Sequence, residues 1–328
     1  MSQTPRVPII GGGPAGMSCA LWLHNYGLGP IVIEQAAELG GMARADPYPN
    51  PWLLGRPGAL GRENAADFAR HLEQLAVETW LGGRPLRAWR RADGLIGLEV
   101  GFADPRPPRT LSCMALVIAT GTAFRGEEWL DQVVNARVLA QRGRVHIGPA
   151  WAGEPGIELG AHVALIGGGD NAFDVAHTLL RKGVRVTIVM RAAAPRAQPL
   201  LVERVSAYAE SGLIDVRSQR EVVLLEVRGP RLRARLSDGD DLEVDHVMLL
   251  FGYRPNSGGA WLAELPIDTD ADGYITVDGN MATSCWGVFA VGDVANPVHP
   301  CIATALGSGT MAAREIQKRF ARHGGPAG

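Results

Sequence analysis

Hydrophobic positions in this chain arrive as short unbroken runs that end in glycines, then as stripes at helical spacing, and that order repeats. Residues 7–10 read as a buried strand, Gly11 to Gly16 as a loop, the stretch to about residue 26 as a helix, and residues 30–34 as a second strand. A proline deletes a ladder hydrogen bond, so Pro8 is expected at the very start of its strand. Residues 64–80 are helical in pattern, and residues 85–121 carry strand-like runs joined by a turn at Gly94 and a Pro-rich loop. The opening unit then recurs: a strand over 163–166, glycines at 167–169, a helix to about residue 182, and a strand over 184–190. An antiparallel meander is expected over 221–251, turning at Gly229-Pro230 and Asp238-Gly239. A strand near 287–291 and a helix over 303–320 close the chain. The fold class is therefore α/β, with two Rossmann-like units of three-layer ββα type.

Each glycine loop lies between a strand and a helix, where this spacing has a mechanical meaning. In Gly11-Gly12-Gly13-Pro14-Ala15-Gly16 the first glycine allows the tight turn, the second lets backbone N–H groups approach a pyrophosphate, and the third lets helix and strand pack closely. The helix N-terminus adds partial positive charge. Glu34 ends the following strand, where a carboxylate can accept both hydroxyls of an adenosine ribose. The second loop, Gly167-Gly168-Gly169-Asp170-Asn171-Ala172, has the same context. Here the position equivalent to Glu34 is Met190, followed by Arg191 and, further on, Arg196. Without an acid, and with guanidinium forks nearby, NADPH is favoured, with NADH possible.

Bulk properties narrow the classes. A chain of 328 residues suits two domains of ordinary size. A formal net charge of −2 offers no electrostatic case for nucleic acid or an anionic membrane. No run approaches the ~18 apolar residues of a spanning helix, and the start MSQTPRVPIIGGG lacks a charged-then-apolar signal pattern. Cys19, Cys113, Cys285 and Cys301 are dispersed and form no C-x-x-C, so neither a metal site nor a disulfide framework is suggested and a reduced, cytoplasmic protein is expected.

In this order the motifs resemble the low-molecular-weight thioredoxin reductase branch of the flavin disulfide reductase superfamily. Ala119-Thr120-Gly121 looks like that family's exit from the FAD domain, and Gly252-Tyr253-Arg254-Pro255-Asn256 like its return. Phe289-Ala290-Val291-Gly292-Asp293 looks like the second FAD motif, and the helix near Ile302 and Ala303 like the one aimed at the flavin. The resemblance implies FAD contacts at Gly11, Gly13, Pro14, Ala15, Gly16, Glu34, Gly41, Ala119, Thr120, Gly121, Gly292, Asp293, Ile302 and Ala303. It implies nicotinamide-dinucleotide contacts at Gly167, Gly169, Asp170, Asn171, Ala172, Arg191 and Arg196. It also implies a split FAD domain (residues 1–121 and 252–328), an inserted NAD(P)H domain (122–251) and a homodimer.

Three departures bear on function. Gly148 and Trp151 stand where the family's redox dithiol would be, and without one, electrons cannot leave by thiolate exchange. The phosphate-binding run H-R-R-x-x-x-R is reduced to Met190-Arg191-Ala192-Ala193-Ala194-Pro195-Arg196. Pro300-Cys301 replaces an Arg-Gln beside the flavin. Cys301, His299 and Trp151 are the remaining candidates for chemistry or cover at the flavin, each weighed against plain packing or solvation. The leading expectation is an NAD(P)H-dependent flavoenzyme whose acceptor is a small redox protein, such as ferredoxin or flavodoxin, or a quinone-like small molecule. A disulfide reductase working through Cys301 or a partner's thiols, and a non-catalytic flavin sensor, are the alternatives.

Overall fold

The computed structural model describes residues 5–154, 157 and 159–322. The chain divides into two compact units, Met1–Ala123 with Arg254–Gly328, and Phe124–Tyr253.

The first unit opens with β1 (Arg6–Ile10), α1 (Pro14–Asn25), β2 (Gly29–Glu34), α2 (Gly41–Arg44), α3 (Gly61–Gln74) and β3 (Glu78–Leu81). It continues through β4 (Gly83–Arg90), β5 (Ile96–Phe102), β6 (Arg109–Cys113), β7 (Leu116–Ile118) and β8 (Thr122–Phe124). In the second unit follow α4 (Glu127–Gln132), α5 (Ala136–Gln141), β9 (Val145–Ile147), α6 (Ala150–Gly153), β10 (His162–Ile166), α7 (Asp170–Arg181) and β11 (Arg185–Met190). Then come α8 (Pro199–Ser206), β12 (Ile214–Ser218), β13 (Val222–Arg228), β14 (Arg231–Leu236), β15 (Asp241–Val244) and β16 (His246–Leu249), and in β17 (Tyr253–Pro255) the chain passes back to the first unit. The chain ends with β18 (Val288–Ala290) and α9 (Ile302–Arg322) of the first unit.

Both units are built on one plan. The first has a five-stranded parallel sheet ordered β18-β7-β1-β2-β3, and the second one ordered β12-β11-β10-β16-β9. Strands covered on both faces read as continuous apolar runs, because every side chain is buried whichever way it points. Alternate residues then feed two cores. In the first unit Val7, Ile9, Val32 and Val117 pack with α1 and α9, while Ile10, Ile31, Ile33, Leu116 and Ile118 pack with the meander β4-β5-β6. In the second, Val163, Leu165, Val186 and Ile188 face α7, while Ala164, Ile166, Val189 and Val247 face the meander β13-β14-β15. Helices, parallel sheet and antiparallel meander form the three layers twice over.

Three local expectations are corrected. Pro8 lies inside β1, paired with Ile31, and not at the strand's start. The N–H of Gly11 goes to Ile33, so by alternation the odd-numbered donors of β1 serve β2, and Pro8 faces β7, whose pairing begins only at Ile9. The missing N–H therefore removes no bond. The helix drawn over 64–80 starts earlier and ends at Gln74; Ala76 takes a left-handed φ of 53°, and the β-branched and aromatic run after it forms β3. Residues 246–249 are not the last strand of the meander but join the parallel sheet beside β10.

Candidate functional site

The first glycine loop is held by contacts that admit no side chain at two of its positions. Gly11 has φ 113°, and a Cβ there would lie 2.2 Å from the Ala119 carbonyl oxygen. A Cβ on Gly16 would lie 2.0 Å from the carbonyl oxygen of Gly11, so strand β1 and helix α1 touch through bare backbone. Gly13 differs. It is the N-cap of α1 with an extended backbone, and the nearest atom to a Cβ there is the Cα of Gly41 at 3.9 Å. Among the described residues, no other atom lies within 4 Å of that position, so space is left open over Gly13.

Helix α1 begins with Pro14, has no acidic residue in its first turn and has no side chain capping its N-terminus. Its first N–H groups and its partial positive charge are thus left for an anion. Ala15 is buried beneath Gly292, where a Cβ would come 2.7 Å from that of Ala15. Gly41 has φ 55° and backs onto Gly13, its own would-be Cβ only 2.9 Å from the Gly13 Cα. The structure therefore brings Gly11, Gly13, Pro14, Ala15, Gly16, Gly41, Ala119 and Gly292 into one cradle.

Glu34 closes the same end of the sheet. Its carboxylate accepts the N–H of Gly12 at 2.8 Å and that of Ala36 at 2.8 Å, which fixes its orientation while leaving lone pairs for hydroxyl donors. At Gly12 a Cβ would meet Leu39 Cδ2 at 2.4 Å, so a side chain there requires the flexible leucine end to move aside. Thr120 donates to the carbonyl of Asn256 at 2.7 Å, and the Asn256 amide returns a bond to the Thr120 carbonyl at 2.9 Å, so this pair clasps the exit and return segments. Gly121 has φ 63° with open space around it.

Asp293 sits in a short helical turn after β18, half-buried, and its carboxylate has no hydrogen-bond partner among the described residues. Burial pushes its pKa up to about 6. A desolvated carboxylate without a donor is the arrangement that a polyhydroxyl chain would complete. Ser308, another residue missed in sequence, accepts the Gly292 N–H at 2.9 Å and so pins this turn to α9. Helix α9 starts at Ile302 with Ala303 exposed in its first turn, and it can approach α1 closely because Gly309 faces the Ala15 carbonyl. These features fit an FAD: a cradle open over its glycine, a ribose-ready carboxylate, and a second carboxylate lacking donors.

Cys301, partly exposed just before α9, contacts the Thr304 hydroxyl at 3.4 Å, and the Thr304 N–H points to its sulfur at 3.5 Å. The thiol is thus engaged in capping its own helix. The His299 side chain is exposed, while its backbone is held by Asn296 and Thr304. Cys19 and Cys113 are buried; burial pushes the Cys113 thiol up to about 12 and the Cys19 thiol higher still.

In the second unit the loop geometry repeats. Gly167 has φ 148°, and a Cβ there would meet the Leu250 carbonyl oxygen at 2.4 Å; no described residue lies within 4 Å of a Cβ on Gly169, the N-cap of α7. Asp170 begins α7 and accepts two bonds from Gln198, from its backbone at 2.8 Å and its amide at 2.9 Å, while Ala172 is buried in the helix face. Asn171 donates to the Tyr253 hydroxyl at 3.2 Å. Arg196 is anchored by its backbone N–H to the Gly168 carbonyl at 2.8 Å, and its exposed guanidinium has no partner among the described residues. Arg191 is also exposed, but faces Glu221 at 3.6 Å.

Trp151 belongs to an aromatic cluster within this unit. Its ring stacks on His146 at 4.2 Å and lies 4.4 Å from His246. The two histidines contact each other, His146 Nε2 to His246 Nδ1, at 3.1 Å. Burial, with the neighbouring His246 adding to it, lowers the His146 pKa to about 4. Gly148, close by, has φ 82°, and a Cβ there would press into the Phe124 ring at 2.5 Å. Among the described residues no helix is long and apolar enough to cross a membrane.

The family model described as pyridine nucleotide-disulphide oxidoreductase matches residues 5–315. The chain is 28% identical over 329 residues to a glucosaminate ammonia-lyase of Pseudomonas fluorescens, covering 95% of each chain. It is 29% identical to a ferredoxin–NADP reductase of Limosilactobacillus fermentum, covering 98% of this chain and 95% of the relative. Among solved structures, the Lactococcus lactis thioredoxin reductase in its FR conformation matches with a TM-score of 0.79 and 25% identity, over 98% of this chain and all of that one.

Proposed function

The chain belongs to the pyridine nucleotide-disulphide oxidoreductase family, and from that premise we propose that this FAD-dependent oxidoreductase takes electrons from NADPH and delivers them to an acceptor other than a protein dithiol. The split unit is the FAD domain and the inserted unit the NADPH domain, each using the glycine loop described above. A bound flavin supplies the chemistry, accepting hydride and releasing one or two electrons. The chain's own part is to bind and orient. Gly11, Gly16 and Gly292 hold the cradle closed around backbone donors. Glu34 presents a fixed carboxylate to a ribose, and Asp293 a desolvated one to a polyhydroxyl chain.

The observation that carries the acceptor assignment is at Gly148 and Trp151. The first has a left-handed backbone, and a Cβ there would run into Phe124; the second is a tryptophan stacked on a histidine. Neither position offers a thiol, and three of the four cysteines are buried. A small redox protein or a quinone-like molecule then receives the electrons, and a relative named for ferredoxin supports the former. The same reading implies a homodimer, which light scattering of the purified protein checks.

The test is NADPH oxidation by the yellow holoenzyme against ferredoxin, flavodoxin, quinones, thioredoxin and low-molecular-weight disulfides. Turnover confined to the first three supports the reading. Turnover with thioredoxin alone overturns it.

A further inference from the structure

The strand-end acid that reads a ribose in the first unit is missing in the second, where Met190 takes its place. A carboxylate nevertheless reaches the region from the neighbouring strand. Strand β12 runs parallel to β11, and the chain leaving it turns back across the end of β11: Gln219 donates to the Ala192 carbonyl at 3.3 Å and Arg220 to the Met190 carbonyl at 3.1 Å. Gln219 holds the turn with a left-handed φ of 56°, uncommon for a residue with a side chain. The next residue, Glu221, is fixed by its backbone, donating to Ser237 Oγ at 3.2 Å and accepting the Ser237 N–H at 2.8 Å. Its carboxylate lies 3.6 Å from the Arg191 guanidinium. Arg220 is paired with Asp238, which leaves Arg196 as the guanidinium of this trio with no carboxylate partner among the described residues.

We propose that Glu221 is a specificity-determining residue that weakens this site's preference for a 2′-phosphorylated nucleotide. The proposal rests on the reading that the inserted unit binds NADPH. A 2′-phosphate docking on Arg191 and Arg196 meets the Glu221 carboxylate beside it and must compete for Arg191. A free 2′-hydroxyl meets an acceptor instead, so NADH is admitted by the acid that Met190 does not supply. Arg196 favours the phosphate, Glu221 opposes it, and the balance between them sets cofactor choice.

Calorimetric titration of the holoenzyme with 2′,5′-ADP and with 5′-AMP tests this in the parent protein, Glu221→Gln and Arg196→Ala. Glu221→Gln keeps the shape and removes the charge. The ratio of 2′,5′-ADP to 5′-AMP affinity is expected to rise about two- to fivefold at low ionic strength, the range of an exposed ion pair. The gain should shrink as salt is added. Arg196→Ala should lower the same ratio. If Arg196→Ala lowers it and Glu221→Gln leaves it unmoved, the role of Glu221 is refuted while the nucleotide site stands. If neither nucleotide binds the parent protein, the NADPH reading fails and takes the proposal with it.

Discussion

Replacing Gly13 by valine should weaken FAD binding about a hundredfold or more and leave the fold intact. The two halves of that statement come from one observation. Among the described residues a Cβ at Gly13 has only the Gly41 Cα within 4 Å, at 3.9 Å, and the backbone at φ −74°, ψ 179° suits any residue. Losing glycine removes unfolded-state freedom worth about 0.4–1 kcal/mol, while a poorer N-cap costs about 0.5–1 kcal/mol. The apo-protein should therefore stay within about 1 kcal/mol of the parent. The side chain projects instead into the space over the loop. Displacing two charge-assisted phosphate contacts costs about 3–6 kcal/mol at roughly 1.5–3 each, which is about a hundredfold or more in affinity. Gly16→Ala is the control, because its Cβ would sit 2.0 Å from a backbone oxygen that cannot yield. It should lose stability as well as cofactor. Urea unfolding of the apo-proteins and FAD titration by flavin fluorescence separate the two effects. A Gly13→Val protein that binds FAD like the parent, or that unfolds as readily as Gly16→Ala, would refute the reasoning.

Other outcomes follow from the same geometry. Asp293→Asn should stabilise the apo-protein in a pH-dependent way. Because burial raises the native pKa to about 6 from an ordinary 3.8, the native state holds more protons than the unfolded chain between those values, and the parent loses stability as pH rises through that window. The advantage of the variant, read by urea unfolding, should grow from pH 4 to 6 and level off above 7, while its FAD affinity falls. Arg196→Ala should raise the KM for NADPH by about tenfold, a loss of roughly 1.4 kcal/mol from one charge-assisted contact, and leave that for NADH nearly unchanged; equal loss for both would show that Arg196 does not read the phosphate. Thioredoxin should not be reduced at the expense of NADPH, and robust turnover that vanishes in a cysteine-free variant would expose a working thiol pair.

What is legible in the chain alone follows the range of the interactions involved. Gly11 and Gly16 were legible because contacts with backbone oxygens at these positions leave room for nothing else, and those contacts recur wherever a strand meets a helix across such a loop. Helices α1 and α7 and the strands flanking them were legible for the same local reasons. Pairing between distant segments was not: residues 246–249 look like the tail of a meander and are recruited to β10 by a parallel partner far earlier in the chain. The rule against mid-strand prolines assumes a neighbour on both sides along the whole strand, and it does not bind Pro8, because β7 reaches only Ile9 and Ile10. Asp293 could be singled out only through the resemblance, since its importance lies in burial without a donor. Glu221 carried no signal at all, because the turn at Gln219 brings it beside Arg191, and no motif marks that turn.

The central claim, that electrons enter a flavin and leave without passing through a dithiol, is tested most directly by counting them. Anaerobic titration of the holoenzyme with NADPH, followed by the flavin absorbance and the oxidation of NADPH, measures how many electron pairs each chain can hold. A flavin alone takes one pair, and a flavin with a redox-active disulfide takes two. The account predicts complete bleaching at one NADPH per FAD, with further NADPH remaining unoxidised. Consumption of a second equivalent, lost in a cysteine-free variant, would contradict it.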